Sequence, residues 1–359
     1  MAPLFAMTNL LFVSLLLASF TALLSQAASS TSQTECTLDY DQIPFQTLTK
    51  PLTESYGNYL RSLGFGPSGR VSLFRRFEDG QVVAIKHFRT NFRRQNDVHA
   101  QEYEQQIKLE YHIGALLSGL DGIAQTLDLL YEVHSSTWHL VTEYCPHNLV
   151  AERHQLSTAD THRIFKQTLS ATLSIHRQGI AYGDAKIENV LLTYGGGVKL
   201  IDFGSATFAK CGVESSRNDV NVVPGDFSTA AYMPPEVFNI LEYDRQKADV
   251  WALGILFHLL LLGHPPWKLA SLADENFRYF MGWETKRSGE DCSPCQRCLL
   301  PYSKLEYGTC PLERNELFSR LPESARGLTR DLLEPDPMRR PALDTVLAGW
   351  RGGVLYSTT

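Results

Sequence analysis

Apolar and polar positions alternate along residues 71–77 and again along 81–88, with Glu78-Asp79-Gly80 between the two runs. A period of two marks strands with one buried face, and an acidic residue followed by glycine is a tight-turn signal, so the two runs predict a β-hairpin. The period then changes. Residues 98–118 follow a helical spacing that ends in Ile113-x-x-Leu116-Leu117, and residues 126–133 and 137–143 predict a second pair of strands. After His147 the chain turns helical. Residues 157–177 carry an apolar face at Ile164, Leu169, Leu173 and His176, with Ser157 and Thr158 as candidate caps, and residues 249–262 are apolar almost all round, which predicts a buried helix. Strands thus dominate the first part and helices the second, an α+β pattern with no internal repeat.

Chemistry concentrates where the strands give way to helices. The run Tyr182-Gly183-Asp184-Ala185-Lys186-Ile187-Glu188-Asn189 is followed thirteen residues later by Asp202-Phe203-Gly204. Phosphoryl transfer needs an acceptor for a hydroxyl proton, a cation for phosphate and two oxygen ligands for magnesium, and these residues supply all of them at fixed spacing. Upstream, Gly64-Phe65-Gly66-Pro67-Ser68-Gly69-Arg70-Val71 fits Gly-x-Gly-x-x-Gly-x-Val, and Val83-Ala84-Ile85-Lys86 follows in a strand-like run. Alone, the glycine pattern is also that of an ordinary hairpin. Ahead of a lysine strand and far ahead of the two aspartates, it forms a highly specific joint match.

In that order the motifs resemble those of eukaryotic protein kinases, over residues 45–350. The resemblance implies a bilobal fold, with a small β-rich N-lobe at about 45–143 and a larger helical C-lobe at about 147–350. It implies ATP and Mg2+ as cofactors and a protein substrate. Gly64, Gly66, Gly69, Val71, Ala84, Thr142, Glu143 and Cys145 would line the ATP site, Thr142 as the gate behind adenine and Cys145 as a small buried hydrophobe in the hinge. Lys86 would contact phosphates, held by a helix carboxylate. Glu102, Glu104 and Glu110 compete for that role, and Glu110 is chosen because the apolar spacing after it is that of a helix packed on a sheet. Asp184 would orient and deprotonate the acceptor hydroxyl, Lys186 would neutralise the transferring phosphate, and Asn189 with Asp202 would hold magnesium. Lysine at 186 is similar to the serine/threonine class. Glu236, in Pro234-Pro235-Glu236, should pair with Arg340, Asp249 should anchor the catalytic loop, and Thr229 and Tyr232 should shape the substrate-binding loop.

Two positions depart from the family pattern: Tyr182 and Gly183 stand where it has His and Arg. Glycine cannot pair with a phosphorylated activation segment, so the usual phosphorylation switch is expected to be missing. Tyr182 can take the histidine's place through its hydroxyl. The departures motivate an alternative, a pseudokinase or scaffold that binds nucleotide or a partner, and a lumenal location allows a further one, a sugar or small-molecule kinase.

Composition changes the picture only at the ends and in one insert. The chain has 359 residues, 43% hydrophobic, with a formal net charge of -6, which recommends neither nucleic acid nor a strongly charged membrane surface as partner and implies no oligomeric state. Residues 10–24 are apolar or small, and Ser25-Gln26-Ala27 fits a signal-peptidase site, so residues 1–27 read as a signal peptide; an uncleaved signal anchor, and with it a membrane, is the alternative. Residues 28–44 read as a linker and 351–359 as a tail. Cys292, Cys295, Cys298 and Cys310 crowd into a polar insert at about 282–314. Such thiols bind zinc or an iron-sulfur cluster in the cytosol and close two disulfides in an oxidising lumen; the leader favours disulfides, with three connectivities open, and a lumenal or secreted location. Leader, kinase-like domain and C-lobe cysteines together are similar in architecture to the secreted rhoptry kinases of intracellular parasites.

Overall fold

The structure, a computed structural model, describes residues 38–66, 69–88, 98–209, 227–238, 243–281, 318–351 and 354–355. The leader, the cysteine insert and the cysteines at 36, 211, 292, 295, 298 and 310 lie outside these residues. Within the expected linker 28–44, the described part carries structure: Tyr40–Gln42 forms a helical turn capped by Asp39, and Ile43 is buried. Among the described residues no helix is long and apolar enough to cross a membrane.

The first part is a six-stranded sheet built from β1 (Gln46–Leu48), β2 (Gly57–Gly66), β3 (Gly69–Arg76), β4 (Val82–Phe88), β5 (Thr126–Glu132) and β6 (Thr137–Glu143), in the order β1-β5-β6-β4-β3-β2. Every pairing is antiparallel except that of β1 with β5. The predicted hairpin joins β3 to β4. Asp79 Oδ1 accepts from the Gln81 amide and Gly80 takes φ 71°, a conformation in which a side chain is strained. Helix α1 (Val98–Leu117) joins β4 to β5, and its Ile107 packs into a cluster with Phe88, Leu129, Trp138 and Leu140.

The second part is helical. Ser157 alone caps α2 (Thr158–Arg177), its Oγ accepting from the Asp160 amide, while Thr158 is the first helical residue. The short strand β7 (His147–Asn148) precedes α2; between α2 and the next long helix run β8 (Ile180–Ala181), β9 (Val190–Leu192), β10 (Val198–Leu200) and β11 (Thr207–Phe208), and β7 pairs with β9. Helix α3 spans Arg245–Leu262, starting ahead of the expected residue 249 because Asp244 caps it through the Gln246 and Lys247 amides. Residues 249 to 258 of α3 are all buried, and Phe165 of α2 stacks on Phe257 at 4.2 Å between ring centroids. Helices α4 (Glu323–Leu332) and α5 (Leu343–Gly349) complete the core through Leu328, Leu332, Leu343 and Val346.

Candidate active site

Strand register places the proposed nucleotide face. Val71, Lys86 and Leu140 are neighbours across β3, β4 and β6, and so are Leu73, Ala84 and Thr142. Because alternate residues share a face, Val71, Ala84, Lys86 and Thr142 all stand on one side of the sheet. The glycine-rich turn lies where β2 meets β3. A side chain at Gly69 would place its Cβ 2.0 Å from the His87 carbonyl oxygen, so the strands can approach here only through glycine. Gly64 and Gly66 end β2, and Pro67 and Ser68 lie outside the described residues.

Lys86 is the centre of charge. Its Nζ donates to Glu110 Oε1 at 2.8 Å and to Asp202 Oδ1 at 3.1 Å, bringing together β4, α1 and the segment after β10. Of the three candidate carboxylates it is Glu110 that Lys86 meets; Glu104 pairs with Lys108, and Glu102 lies on the exposed side of the helix. Burial alone would discharge the lysine, but the two carboxylates outweigh it and hold the ammonium charged. For Asp202 burial also acts against the charge, and Lys86 again reverses it, keeping the carboxyl below its ordinary range. Asp202 adopts φ 61°, a left-handed conformation that costs a residue with a side chain about 1 to 2 kcal/mol.

The residues assigned to catalysis lie between β8 and β9. Asp184 Oδ2 accepts from Lys186 Nζ at 2.7 Å and from Asn189 Nδ2 at 2.8 Å. Burial lifts the Asp184 carboxyl above its usual range, with Lys186 opposing. Asn189 donates its side-chain amide to Asp184, and Asp202 accepts on Oδ1 from Lys86 and the Gly204 amide and lies beside the Glu110 carboxyl; the Asn189 carbonyl and the Asp202 carboxylate are the candidate oxygen donors. Two hard oxygen donors are what magnesium takes, so the residues fit that ion.

Asp249 fixes this loop from below. Its two oxygens accept from the Tyr182 amide at 2.7 Å and the Gly183 amide at 2.8 Å, and His176 Nε2 meets the same carboxylate at 2.8 Å. Tyr182 is fully buried and its hydroxyl donates to the Ile201 carbonyl, so it occupies the family's histidine position as expected. Glu236 and Arg340 form a buried two-bond pair, at 2.7 and 3.1 Å, and the guanidinium lies 5.0 Å over the Trp251 ring.

A family model, that of the protein kinase domain, matches residues 58–349. The chain belongs to the protein kinase family. It is 30% identical over 295 residues to the serine/threonine-protein kinase PRR2 of Saccharomyces cerevisiae, across 80% of this chain and 41% of that one. It is 28% identical over 323 residues to the serine/threonine-protein kinase oca2 of Schizosaccharomyces pombe, 83% of this chain and 48% of that one. The hormonally up-regulated neu tumor-associated kinase of Homo sapiens is 30% identical over 299 residues, 81% of this chain and 36% of that one. The chain spans less than half the length of these relatives.

Against this family background the hinge and the catalytic loop show what the motifs left unread. The Glu143 carboxylate, assigned to the ATP site, accepts on Oε2 from Lys199 Nζ at 3.0 Å and from the Gln125 amide at 3.1 Å, and the Glu143 amide donates to the Gln125 carbonyl at 2.8 Å. Cys145 is a free, buried thiol, pushed up to about 11 by burial, in keeping with a packing role. Arg61 Nη2 donates to the Tyr144 hydroxyl at 3.0 Å, tying the glycine-rich strand to the hinge. His176, placed on the apolar face of α2, acts instead as a polar partner of Asp249; a histidine ending an apolar stripe was its one signal in the sequence. Tyr232 contacts the catalytic loop, its hydroxyl accepting from the Ile187 amide at 3.4 Å.

Proposed function

We propose that this chain transfers the terminal phosphoryl group of ATP to serine or threonine hydroxyls of proteins. The observation that carries the reading is the pair of linked clusters, Lys86–Glu110–Asp202 and Asp184–Lys186–Asn189, each closed by hydrogen bonds of 2.7 to 3.1 Å. Asp184 would hold the acceptor hydroxyl and receive its proton as the oxygen bonds to phosphorus, while the bond from phosphorus to the ADP oxygen breaks. Lys186 would offset charge on the moving group, and Lys86 would fix the phosphates that remain. Magnesium, when bound at Asn189 and Asp202, would supply charge neutralisation on the phosphates. The yeast relatives, named as serine/threonine-protein kinases, favour serine and threonine as acceptors. The retained lysine, aspartates and asparagine weigh against a scaffold without turnover.

The test is transfer of labelled phosphate from ATP with magnesium by the purified protein, onto generic protein substrates and onto itself. Label on serine and threonine that disappears in Asp184→Asn supports the reading. Equal labelling by wild type and variant overturns it.

We also propose entry into the secretory pathway, on the strength of the apolar stretch 10–24 and the small residues at 25–27. N-terminal sequencing of the protein recovered from its own cells tests this. A start at Ala28 supports cleavage, membrane retention with residues 1–27 intact supports the anchor, and a soluble cytosolic product retaining Met1 overturns both.

A further inference from the structure

The family match begins at residue 58, yet described residues precede it, and some of these pack against the helix that carries Glu110. Strand β1 adds itself in parallel to the edge of β5, Gln46 opposite Leu130 and Leu48 opposite Glu132. This places Phe45 beside the inner face of the sheet. There its ring meets Trp138 edge-on, 4.8 Å between centroids at 67°. Lys108 of α1 closes the arrangement: its Nζ lies 5.6 Å from the Phe45 ring and 5.8 Å from the Trp138 ring, and 2.8 Å from Glu104 Oε1. Just ahead, the turn Tyr40–Gln42 touches α1, and Ile43 is buried.

Lys108 is only 6% exposed, unusual for a lysine outside the catalytic centre. Its position explains the burial. It precedes Glu110 by two residues, which on a helix turns it about 200° away, so the side of α1 that meets the strap lies roughly opposite the side that meets Lys86. The helix is therefore held at two points around its axis, at Glu110 by Lys86 and at Lys108 by Phe45 and Trp138. A displacement of α1 away from Lys86 must break the contacts of Phe45 and Trp138 with Lys108, or carry the strap with it.

We propose that residues 39–48 form a strap that holds α1 in the position where Glu110 reaches Lys86, with Phe45, Trp138 and Lys108 as positioning residues for phosphoryl transfer. The proposal rests on the kinase reading above. The strap is weakly held by design of its length: β1 has three residues and Phe45 remains 42% exposed, so it opens more readily than the core strands. The contacts it makes to α1 are an aromatic pair and a cation over two rings, each modest alone.

The experiment uses the full chain and three variants. Phe45→Ala removes the ring, Lys108→Met removes the charge and keeps the stem, and Phe45→Tyr restores an aromatic ring. Hydrogen exchange of the amides of α1 is read beside kcat and KM for ATP. The expected result is exchange in α1 about tenfold faster in Phe45→Ala and Lys108→Met, the loss of an aromatic or cation contact. A lower kcat should accompany it with a smaller change in KM, and Phe45→Tyr should return both to wild-type values. Unchanged exchange in α1 in both variants overturns the strap, and faster exchange with unchanged kcat overturns its positioning role. Absence of phosphotransfer from the wild type would instead defeat the kinase reading, while the exchange measurement still decides whether residues 39–48 hold the helix.

Discussion

Gly183 stands where the family pattern has arginine, while the groups assigned to catalysis are kept. Its φ of 78° lies in the left-handed region, and a Cβ there would stand 2.3 Å from the carbonyl oxygen of Ser205. The backbone of the catalytic loop and that of the segment after Asp202 thus approach through the missing side chain. Gly183→Ala is expected to strain the backbone by about 1 to 2 kcal/mol and to push apart the segments bearing Asp184 and Asp202. Thermal unfolding and kcat together check this: a lowered midpoint with a fall in kcat of about tenfold is the expected outcome, and an alanine variant with wild-type kcat would show that the loop yields. At the chemical groups themselves the effects are larger. Asp184→Asn and Lys86→Met should each lower kcat by about two to three orders of magnitude or more, the usual cost of removing one transition-state stabiliser. Single-turnover transfer of labelled phosphate measures it.

At the scale of elements, α3 is the frame on which the site is assembled. Its first turns carry Asp249, which receives two catalytic-loop amides and His176, and Lys247, whose carbonyl accepts from Arg340 at 2.7 Å. Arg340 and Glu236 are 0% and 2% exposed, so the pair is dry, and removing one partner leaves the other charge buried alone. Glu236→Ala is expected to destabilise the fold by about 3 to 5 kcal/mol, read as a lower midpoint in urea. A shift under about 1 kcal/mol, the worth of an exposed ion pair, would mean the guanidinium finds water. The segment between Asp202 and Glu236 bears a second expectation. With glycine at 183, no arginine stands there to receive a phosphate, so phosphatase treatment should leave kcat nearly unchanged. Loss of activity that returns on rephosphorylation would contradict it.

The whole molecule carries a pH dependence through histidines held neutral. His139 is buried in the N-lobe sheet, where its Nε2 meets Glu132 at 3.2 Å and its Nδ1 meets His87 Nδ1 at 3.0 Å. His258 is buried in α3, with Nδ1 donating to the His264 carbonyl. Burial lowers both from an ordinary 6.5 to about 4. The unfolded chain therefore takes up protons first as pH falls below about 6.5. Stability is fully present above that value and declines until about pH 4, by roughly 3 kcal/mol for each histidine at most. Urea midpoints at pH 7.5 and pH 5 measure the decline. His139→Gln should make the profile shallower, with His258 and the partly buried His87 still contributing, and a wild-type profile already flat would show that these histidines are not held neutral.

The motifs of the catalytic loop, the glycine-rich turn and the lysine strand were legible in the sequence because their chemistry depends on residue type at short spacing. Asp184, Lys186 and Asn189 sit within six residues of one another and need only a loop to meet. Glu110 was legible for a different reason, the apolar spacing that follows it on α1. What the sequence could not decide were contacts made across distance by residues of ordinary type. His176 on Asp249, Lys199 on Glu143 and Lys108 between Phe45 and Trp138 join residues 30 to 73 positions apart, beyond the reach of any local period. Such pairs form because the sheet register and the packing of α1, α2 and α3 bring them together, and neither propensity nor local pattern encodes that choice. The sequence determined which groups are available for phosphoryl transfer; tertiary packing decided which neighbours hold them in place, because burial and hydrogen-bond geometry exist only once the elements have met.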